Sequence, residues 1–148
     1  MNEKDYMNLA LDQAVMAADE GEVPVGAVVV MTGEVIASAR NNREATCDAT
    51  GHAEILAIRE ACAKLGGWHL ESCELYVTLE PCPMCMGAII NSRMGKVVYG
   101  AKDAKAGACE SVINMCAYPL NHKPQVIGGF MKEECASILT DFFAKKRK

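Results

Sequence analysis

Strand-like and helix-like segments alternate along this chain, and the alternation restricts the folds that it can adopt. Two apolar, β-branched runs, 27–31 and 35–39, are joined by a short turn that contains Gly33, which predicts an antiparallel hairpin. Three further strand-like runs follow, at 75–79, 97–100 and 126–128. Apolar residues recur at helical spacing in four segments, which are 7–18, 53–65, 83–93 and 135–143.

The two helical segments in the middle of the chain are 11–13 residues long and separate successive strands. Connections of this kind cross over a sheet, so some neighbouring strands must be parallel, with helices on both faces. The sequence therefore predicts an α/β fold. More specifically, it predicts a three-layer α/β/α domain built on a mixed sheet of about five strands.

The size and composition fit one globular domain spanning residues 1–148. A length of 148 residues is common for a single domain, and 51% apolar residues are enough to form a core. Eight cysteines without a secretory leader favour reduced thiols in the cytoplasm over a disulfide framework. No apolar run approaches the ~20 residues that a membrane helix needs, so no membrane contact is expected.

The net charge of −4 conceals an uneven distribution. Residues 1–75 carry 5 Lys/Arg and 13 Asp/Glu, whereas residues 76–148 carry 10 and 6 and end in Lys145-Lys146-Arg147-Lys148. A local basic patch can bind phosphates even on an acidic protein, so the net charge does not exclude a nucleic-acid partner. The alternative for the basic tail is a solvated chain end.

Two short motifs supply side chains that zinc prefers as ligands. His52-Ala53-Glu54 opens one predicted helix, and Pro81-Cys82-Pro83-Met84-Cys85 opens another. His52, Cys82 and Cys85 give three protein ligands, whereas a structural zinc site usually has four, so the count favours a site with one open position. A lone Cys-x-x-Cys would also fit a redox pair or half of a structural site.

The other six cysteines show no second paired spacing. Cys47 lies five residues before His52 and is the one plausible fourth ligand among them. Burial as a small apolar side chain is the simpler expectation for all six.

Glu54 is a carboxylate on the apolar side of its predicted helix. It lies roughly 140° from the polar stripe of Arg59, Glu60 and Lys64, at 100° per residue. An isolated buried carboxylate is costly, so it needs a partner or a catalytic role, and capping of its own helix is the alternative. Cys82 and Cys85 share a face of one first helical turn, so a metal would lie over the positive N-terminal ends of both helices.

The combination of His52-x-Glu54 with Pro81-Cys82-x-x-Cys85 resembles the signature of the zinc-dependent nucleoside and nucleobase deaminases. From about Asp5 to Lys148 the chain resembles the bacterial tRNA-specific adenosine deaminases in particular. The stretches that carry this resemblance are Gly21–Ala27, Asn41–Glu44, Leu75–Glu80, Gly100–Asp103, Asn121-His122 and Glu134–Phe143. Two stretches depart from the family's pattern, Cys47–Gly51 and Ala108–Ser111.

The resemblance implies a cytidine deaminase-like fold and hydrolytic deamination of adenosine to inosine at the wobble position of a tRNA anticodon loop. It implies one zinc ion per subunit on His52, Cys82 and Cys85 that activates water. Glu54 would carry protons between water, N1 of the purine and the departing ammonia. It also implies a homodimer, for which the sequence offers an apolar, methionine-containing helix at 84–90.

Asn41 matches the family asparagine that holds the flipped base, although a turn asparagine after a strand is the alternative. Pro81, Val25 and Ala53 are expected to line the base pocket. The expected contacts to the anticodon stem-loop are Asp103, Lys105, Asn121, His122 and the tail 145–148.

Two other functions stay open at this point. A deaminase of a free nucleobase or nucleoside, such as guanine or cytidine, would share the zinc signature and would have no use for the basic tail. A zinc-binding RNA module without catalysis would leave Glu54 idle, which its position on the apolar side argues against.

Overall fold

A five-stranded mixed sheet lies at the centre of the molecule, whose computed structural model describes residues 1–146. The strands are β1 Gly26–Met31, β2 Glu34–Arg40, β3 Cys73–Leu79, β4 Lys96–Ala101 and β5 Gln125–Ile127, in the sheet order β2-β1-β3-β4-β5. Strand β1 pairs antiparallel with β2 and β3, whereas β3 with β4 and β4 with β5 are parallel pairs. The predicted mixed sheet is confirmed.

Helices cover both faces of this sheet. They are α1 Glu3–Asp19, α2 Ala53–Leu65, α3 Pro83–Asn91 and α4 Lys132–Lys146, and a short 3₁₀ turn spans Met115–Ala117. Helices α1 and α4 pack together on one face, and α2 and α3 pack on the other. The predicted three layers are therefore confirmed. Within the described residues, no helix combines the length and the apolar character needed to cross a membrane.

Neighbouring residues on the central strands point to opposite layers. Val29, Leu75 and Val97 belong to the core beneath α2 and α3, whereas Tyr76 and Val98 belong to the core beneath α1 and α4. Because both faces are covered, these strands are apolar along nearly their whole length. This explains why strict polar and apolar alternation is missing from their sequences.

The helix bounds differ from the predicted ones mainly at their ends. Helix α1 begins four residues early because Asn2 caps it, accepting a hydrogen bond from the Asp5 N–H while the Asp5 carboxylate accepts from the Asn2 N–H. Helix α3 ends two residues early, at Asn91, and Arg93 takes a left-handed conformation with φ of +63°. Helix α2 has the predicted bounds, and Gly66 ends it with φ of +73°.

The pairing pattern gathers four chain segments at one edge of the sheet. Parallel strands end at the same edge, and Leu79 of β3 lies opposite Ala101 of β4. Strand β1 runs the other way and starts at this edge, where Gly26 lies opposite Arg40. The segments brought together are 23–25, 41–42, 80–82 and 102–103.

The surface of α3 is less apolar than its sequence suggests. Met86, Ile89 and Ile90 are buried in the core, and only Met84, Gly87 and Ala88 of the stretch 84–90 are half-exposed. Of the two methionines in the helix face expected at a subunit boundary, Met84 is therefore partly exposed and Met86 is buried.

Two glycines allow a test of the packing between α1 and the sheet. A methyl group at Gly26 would overlap backbone atoms of Ala10 and Ala14 in α1, whereas one at Gly87 in α3 would meet nothing within 4 Å. We expect Gly26→Ala to lower the free energy of unfolding by about 1–3 kcal/mol or more, because backbone atoms cannot yield as side chains do. Gly87→Ala should raise it by about 0.5–1 kcal/mol through helix propensity. Urea denaturation of both variants checks this, and equal effects would contradict the described packing.

Candidate active site and metal centre

His52, Cys82 and Cys85 come together at the sheet edge where the four segments meet. Their donor atoms all lie within 4.8 Å of one another. His52 Nδ1 is 3.6 Å from Cys82 Sγ and 3.4 Å from Cys85 Sγ. One imidazole nitrogen and two sulfurs form a donor set that fits zinc and leaves a fourth position open. Cys47 does not belong to this group within the described residues, and its side chain is exposed.

Two of the three donors are the N-cap residues of helices. His52 caps α2 and Cys82 caps α3, both with extended backbone, and neither side chain makes a capping hydrogen bond. An N-cap side chain usually accepts a backbone N–H of its own helix. Here the side chains are left to face one another instead. The positive ends of both helices favour thiolates at this point.

Hydrogen bonding among the donors makes the two thiols unequal. A hydrogen bond from Cys85, with a further one from His52, lowers the pKa of Cys82 to about 4. The pKa of Cys85 is raised, because its thiol bonds to Cys82 and is buried. The hydrogen bond to Cys82 raises the pKa of His52. The cluster therefore favours a thiolate at Cys82.

Glu54 lies in the first turn of α2, next to these donors. It is only 4% exposed, as its place on the apolar side of the helix predicts. Burial raises the pKa of Glu54 to about 7. A carboxyl group with such a pKa can both accept and release protons at neutral pH.

A cavity of about 200 Å³ opens beside the donor cluster. Polar and charged side chains share its wall with apolar ones, as a site that orients a small polar ligand requires. The lining residues are Val23, Val25, Asn41, Arg43, His52, Glu54, Leu79, Glu80, Cys82, Asp103 and Ala106.

Asn41 connects this cavity to the start of α2. Its Oδ1 accepts a hydrogen bond of 2.9 Å from the Ala53 N–H, and its Nδ2 donates one of 3.1 Å to the Val23 carbonyl. Asn41 thus supplies from outside the helix the cap that His52 does not provide. Each polar atom of the amide retains capacity for a second hydrogen bond, so a ligand can still be recognised.

The structure places several other predicted residues at or beside the cavity. Val25 and Asp103 line it. Ala53 and Pro81 are buried next to the donors, and the Pro81 carbonyl accepts a hydrogen bond from the Ala108 N–H. Lys105 is exposed on the turn that Asp103 caps by accepting its N–H.

Two predicted contacts lie elsewhere. Asn121 and His122 precede β5 and so lie at the opposite edge of the sheet, where His122 Nε2 is 2.7 Å from the Met94 carbonyl oxygen. The structure does not bring them to the cavity, because strand β5 is parallel to β4 and starts at the far edge. In the predicted tail, Lys145 and Lys146 are exposed at the end of α4, and residues 147–148 lie outside the described part of the chain.

Two buried carboxylates that the sequence analysis did not select hold the segments around the cavity. Glu22 accepts hydrogen bonds of 2.9–3.1 Å from the N–H groups of Arg43, Glu44 and Ala45. Glu80 likewise accepts hydrogen bonds from backbone N–H groups of the segment after β4. A glutamate directly after the apolar run 75–79 was the available signal for Glu80.

Both carboxylates are held ionised. Burial alone would raise the pKa of Glu22, but the backbone hydrogen bonds outweigh it and lower the pKa below its usual value. For Glu80, burial is likewise outweighed by hydrogen bonds from Ser111 and from backbone N–H groups, and its pKa is lowered too. An ionised carboxylate binds N–H groups about twice as strongly as a neutral acceptor.

Comparison with known proteins places the chain among deaminases. The profile of the MafB19-like deaminase family matches residues 1–147. The tRNA-specific adenosine deaminase of Bacillus subtilis is 49% identical over 144 residues, which cover 97% of this chain and 89% of that protein.

Solved structures of two kinds of deaminase can be compared with this chain. A structure from a study of A-to-I editing by tRNA:A34 deaminases at the wobble position of transfer RNA has a TM-score of 0.90 and 45% identity, covering 93% of this chain and all of that one. A guanine deaminase from Bacillus subtilis has a TM-score of 0.66 and 31% identity, covering all of this chain and 96% of that one. The chain is thus more similar to the tRNA deaminase than to this free-base deaminase.

The hold of Glu22 on the segment after β2 predicts a pH-dependent contribution to stability. Its carboxylate contributes stability above the usual glutamate pKa of about 4.3, and that contribution is lost as the pH falls through the lower folded pKa. Glu22→Gln should therefore cost about 1–3 kcal/mol at pH 7, and progressively less below pH 4.3. Denaturation at several pH values measures this. Glu44→Gln, an exposed change in the same segment, is the control, and a pH-independent cost for Glu22→Gln would contradict the prediction.

Proposed function

This chain belongs to the family of tRNA-specific adenosine deaminases, and we propose that it converts adenosine to inosine at the wobble position of a tRNA anticodon loop, using zinc held by His52, Cys82 and Cys85. The observation that carries the proposal is the convergence of these three donors and of Glu54 on one cavity. The sequence identity to tRNA deaminases favours tRNA as the substrate over a free base.

The metal has one role in this proposal. When bound, zinc supplies a Lewis acid that lowers the pKa of water to about 7. His52, Cys82 and Cys85 would hold it, and the helix N-termini beneath them favour the thiolate form that zinc binds.

Glu54 moves the protons of the reaction. Water adds to C6 of the adenine, the bond from C6 to the exocyclic nitrogen breaks, and ammonia leaves. Glu54 accepts a proton from the water and delivers it to N1. It then takes the second proton from the hydroxyl group now on C6 and gives it to the departing amine, which leaves a carbonyl at C6. Its burial supports this role, because a buried carboxyl group exchanges protons with the substrate rather than with bulk water.

The cavity wall orients the base. Asn41 is fixed by two hydrogen bonds and keeps capacity to pair with a polar edge of the purine. Val25, Ala53 and Pro81 are expected to give the base apolar neighbours. Such neighbours suit the faces of a base that has been taken out of its stack.

Contacts to the RNA outside the base are proposed at the mouth of the cavity. Arg43 and Asp103 line it, and Lys105 is exposed on the adjacent turn. Basic side chains there would bind phosphates of the anticodon loop, and the exposed Lys145 and Lys146 would extend that contact.

The assembly and location of the protein are also part of the proposal. We propose one deaminase domain over residues 1–148, acting as a homodimer in the cytoplasm, where tRNA is used. Exposed apolar side chains support a subunit boundary and cluster in the segment 112–120, at Val112, Ile113, Tyr118 and Leu120. Light scattering of the purified protein tests the dimer.

Metal analysis tests the donor set. The purified protein should contain about one zinc per chain, since three suitable donors form a single group in the described structure. Cys82→Ser and Cys85→Ser should each remove most of it, whereas Cys47→Ser, at an exposed cysteine outside the group, should not. Full zinc retention in both site variants would overturn this assignment.

The substrate is tested with a synthetic anticodon stem-loop that carries adenosine at the wobble position. We expect inosine to form in it, with free adenosine, guanine and cytidine converted at least about a thousandfold more slowly, because remote RNA contacts supply binding energy for the reaction. Nucleoside chromatography measures the products.

Glu54→Gln should lower turnover by about 10²–10⁴-fold while zinc content and RNA binding persist. Preferred turnover of guanine or cytidine would contradict the proposed function, and an active Glu54→Gln enzyme would contradict the role of Glu54.

A further inference from the structure

Glu80 is a buried carboxylate on which several backbone N–H groups converge. It directly follows β3 and is 1% exposed. It accepts hydrogen bonds from the N–H groups of Asp103 at 3.1 Å, Cys109 at 3.0 Å, Glu110 at 2.8 Å and Ser111 at 3.0 Å, and from the Ser111 hydroxyl. We call residues 102–111 the Glu80 loop. This loop contains neither an α-helix nor a strand, so its backbone groups depend on such partners.

The loop is closed tightly around this carboxylate. The Gly107 N–H donates to the Asp103 carbonyl at 2.8 Å, and the Ala108 N–H donates to the Pro81 carbonyl at 2.8 Å. A methyl group on Gly107 would overlap the Glu80 carboxyl group. The loop conformation and the position of the Glu80 side chain therefore depend on each other.

The same loop forms one wall of the cavity. Asp103 and Ala106 line it together with His52 and Glu54. Asp103 also caps the turn within the loop, since its Oδ1 accepts from the N–H groups of Lys105 and Ala106. The position of Asp103 is thus fixed by the hydrogen bonds within its own turn and by the hydrogen bond from its N–H to Glu80.

We propose that Glu80 is a positioning residue for deamination, which holds the Glu80 loop so that Asp103 stands at the cavity mouth in reach of the RNA substrate. This inference rests on the proposed function for its substrate. The hold on the loop itself does not, because it follows from the hydrogen bonds alone.

The chemistry of the contact explains why a carboxylate is needed. All five groups that reach Glu80 are donors, and an ionised carboxylate is an acceptor with about four lone-pair sites on two oxygens. A glutamine in its place would turn an NH₂ group towards some of these donors. Buried N–H groups would then lose their partners and the loop would open locally.

Two variants disturb this contact from opposite sides. Glu80→Gln removes the charge at the centre, and Gly107→Ala keeps the charge but displaces the carboxylate. Glu74→Gln is the matched control, because Glu74 lies on β3, the strand that leads to Glu80, and is half-buried. Within the described residues its carboxylate accepts a single hydrogen bond, from the Tyr76 hydroxyl. All variants are compared as zinc-loaded full-length protein.

Hydrogen exchange followed by mass spectrometry reads the loop without reference to any activity. We expect peptides covering 103–111 to exchange at least about tenfold faster in both variants, with no change in the control or in peptides of α3. Unchanged exchange in this loop would overturn the inference. If Glu80→Gln does not fold, Gly107→Ala decides the question alone.

The anticodon stem-loop reaction tests whether the loop acts through Asp103. We expect kcat/KM to fall by about tenfold or more in both variants at unchanged zinc content, since small displacements of positioning groups are costly. In an Asp103→Ala background, Glu80→Gln should cost less than about threefold further, because coupled residues are not additive. Fully additive losses, or losses that only follow zinc content, would overturn the inference. A wild-type protein that leaves the stem-loop unchanged would instead overturn the proposed function, while the exchange result would still stand.

Discussion

The meeting of two helix N-termini at one edge of the sheet is the constraint on which the rest of the site depends. Helices α2 and α3 are each preceded by a candidate metal donor, His52 and Cys82, in place of a residue that caps its own helix. Strand β3 delivers α3 to this edge, and the antiparallel β1–β2 hairpin delivers the segment that leads to α2. The helix ends therefore provide the positive potential, the donors and the buried glutamate in one place.

This arrangement has a local cost that neighbouring groups offset. Two helices start without a side-chain cap of their own, and Glu54 is buried, each of which is unfavourable in isolation. Asn41 reaches over from the end of β2 to accept the Ala53 N–H of α2. Glu22 and Glu80 then bind the two irregular segments beside the cavity through ionised carboxylates. The site departs from local rules, and groups distant in sequence restore the balance.

The elements and the donor cluster could be predicted because they leave local signals. Helix α2 has its predicted bounds, because Gly51-His52 precede and Gly66 follows a segment with apolar residues at helical spacing. The paired motifs 52–54 and 81–85 indicate the donor residues. The roles of Glu22 and Glu80 depend on partners 21–31 residues away, which no local pattern shows. The pairing of β5 was equally hidden, and its parallel direction relative to β4 places Asn121 and His122 at the edge away from the cavity. Resemblance pointed to these two residues but carried no information about which edge they occupy.

The long reach of the two structural carboxylates also bears on the order in which the chain folds. The β1–β2 hairpin and the first turns of the helices involve neighbours in sequence, and such contacts form early because little loop entropy is lost. Glu22 meets 43–45 at the open end of the β1–β2 hairpin, whereas Glu80 meets 103–111 only once β3 and β4 are paired. A chain with native helices and an unpaired β4 would still lack the cavity wall that Asp103 and Ala106 form. We therefore expect activity to appear late in folding, so that turnover lags behind helix content in a refolding assay.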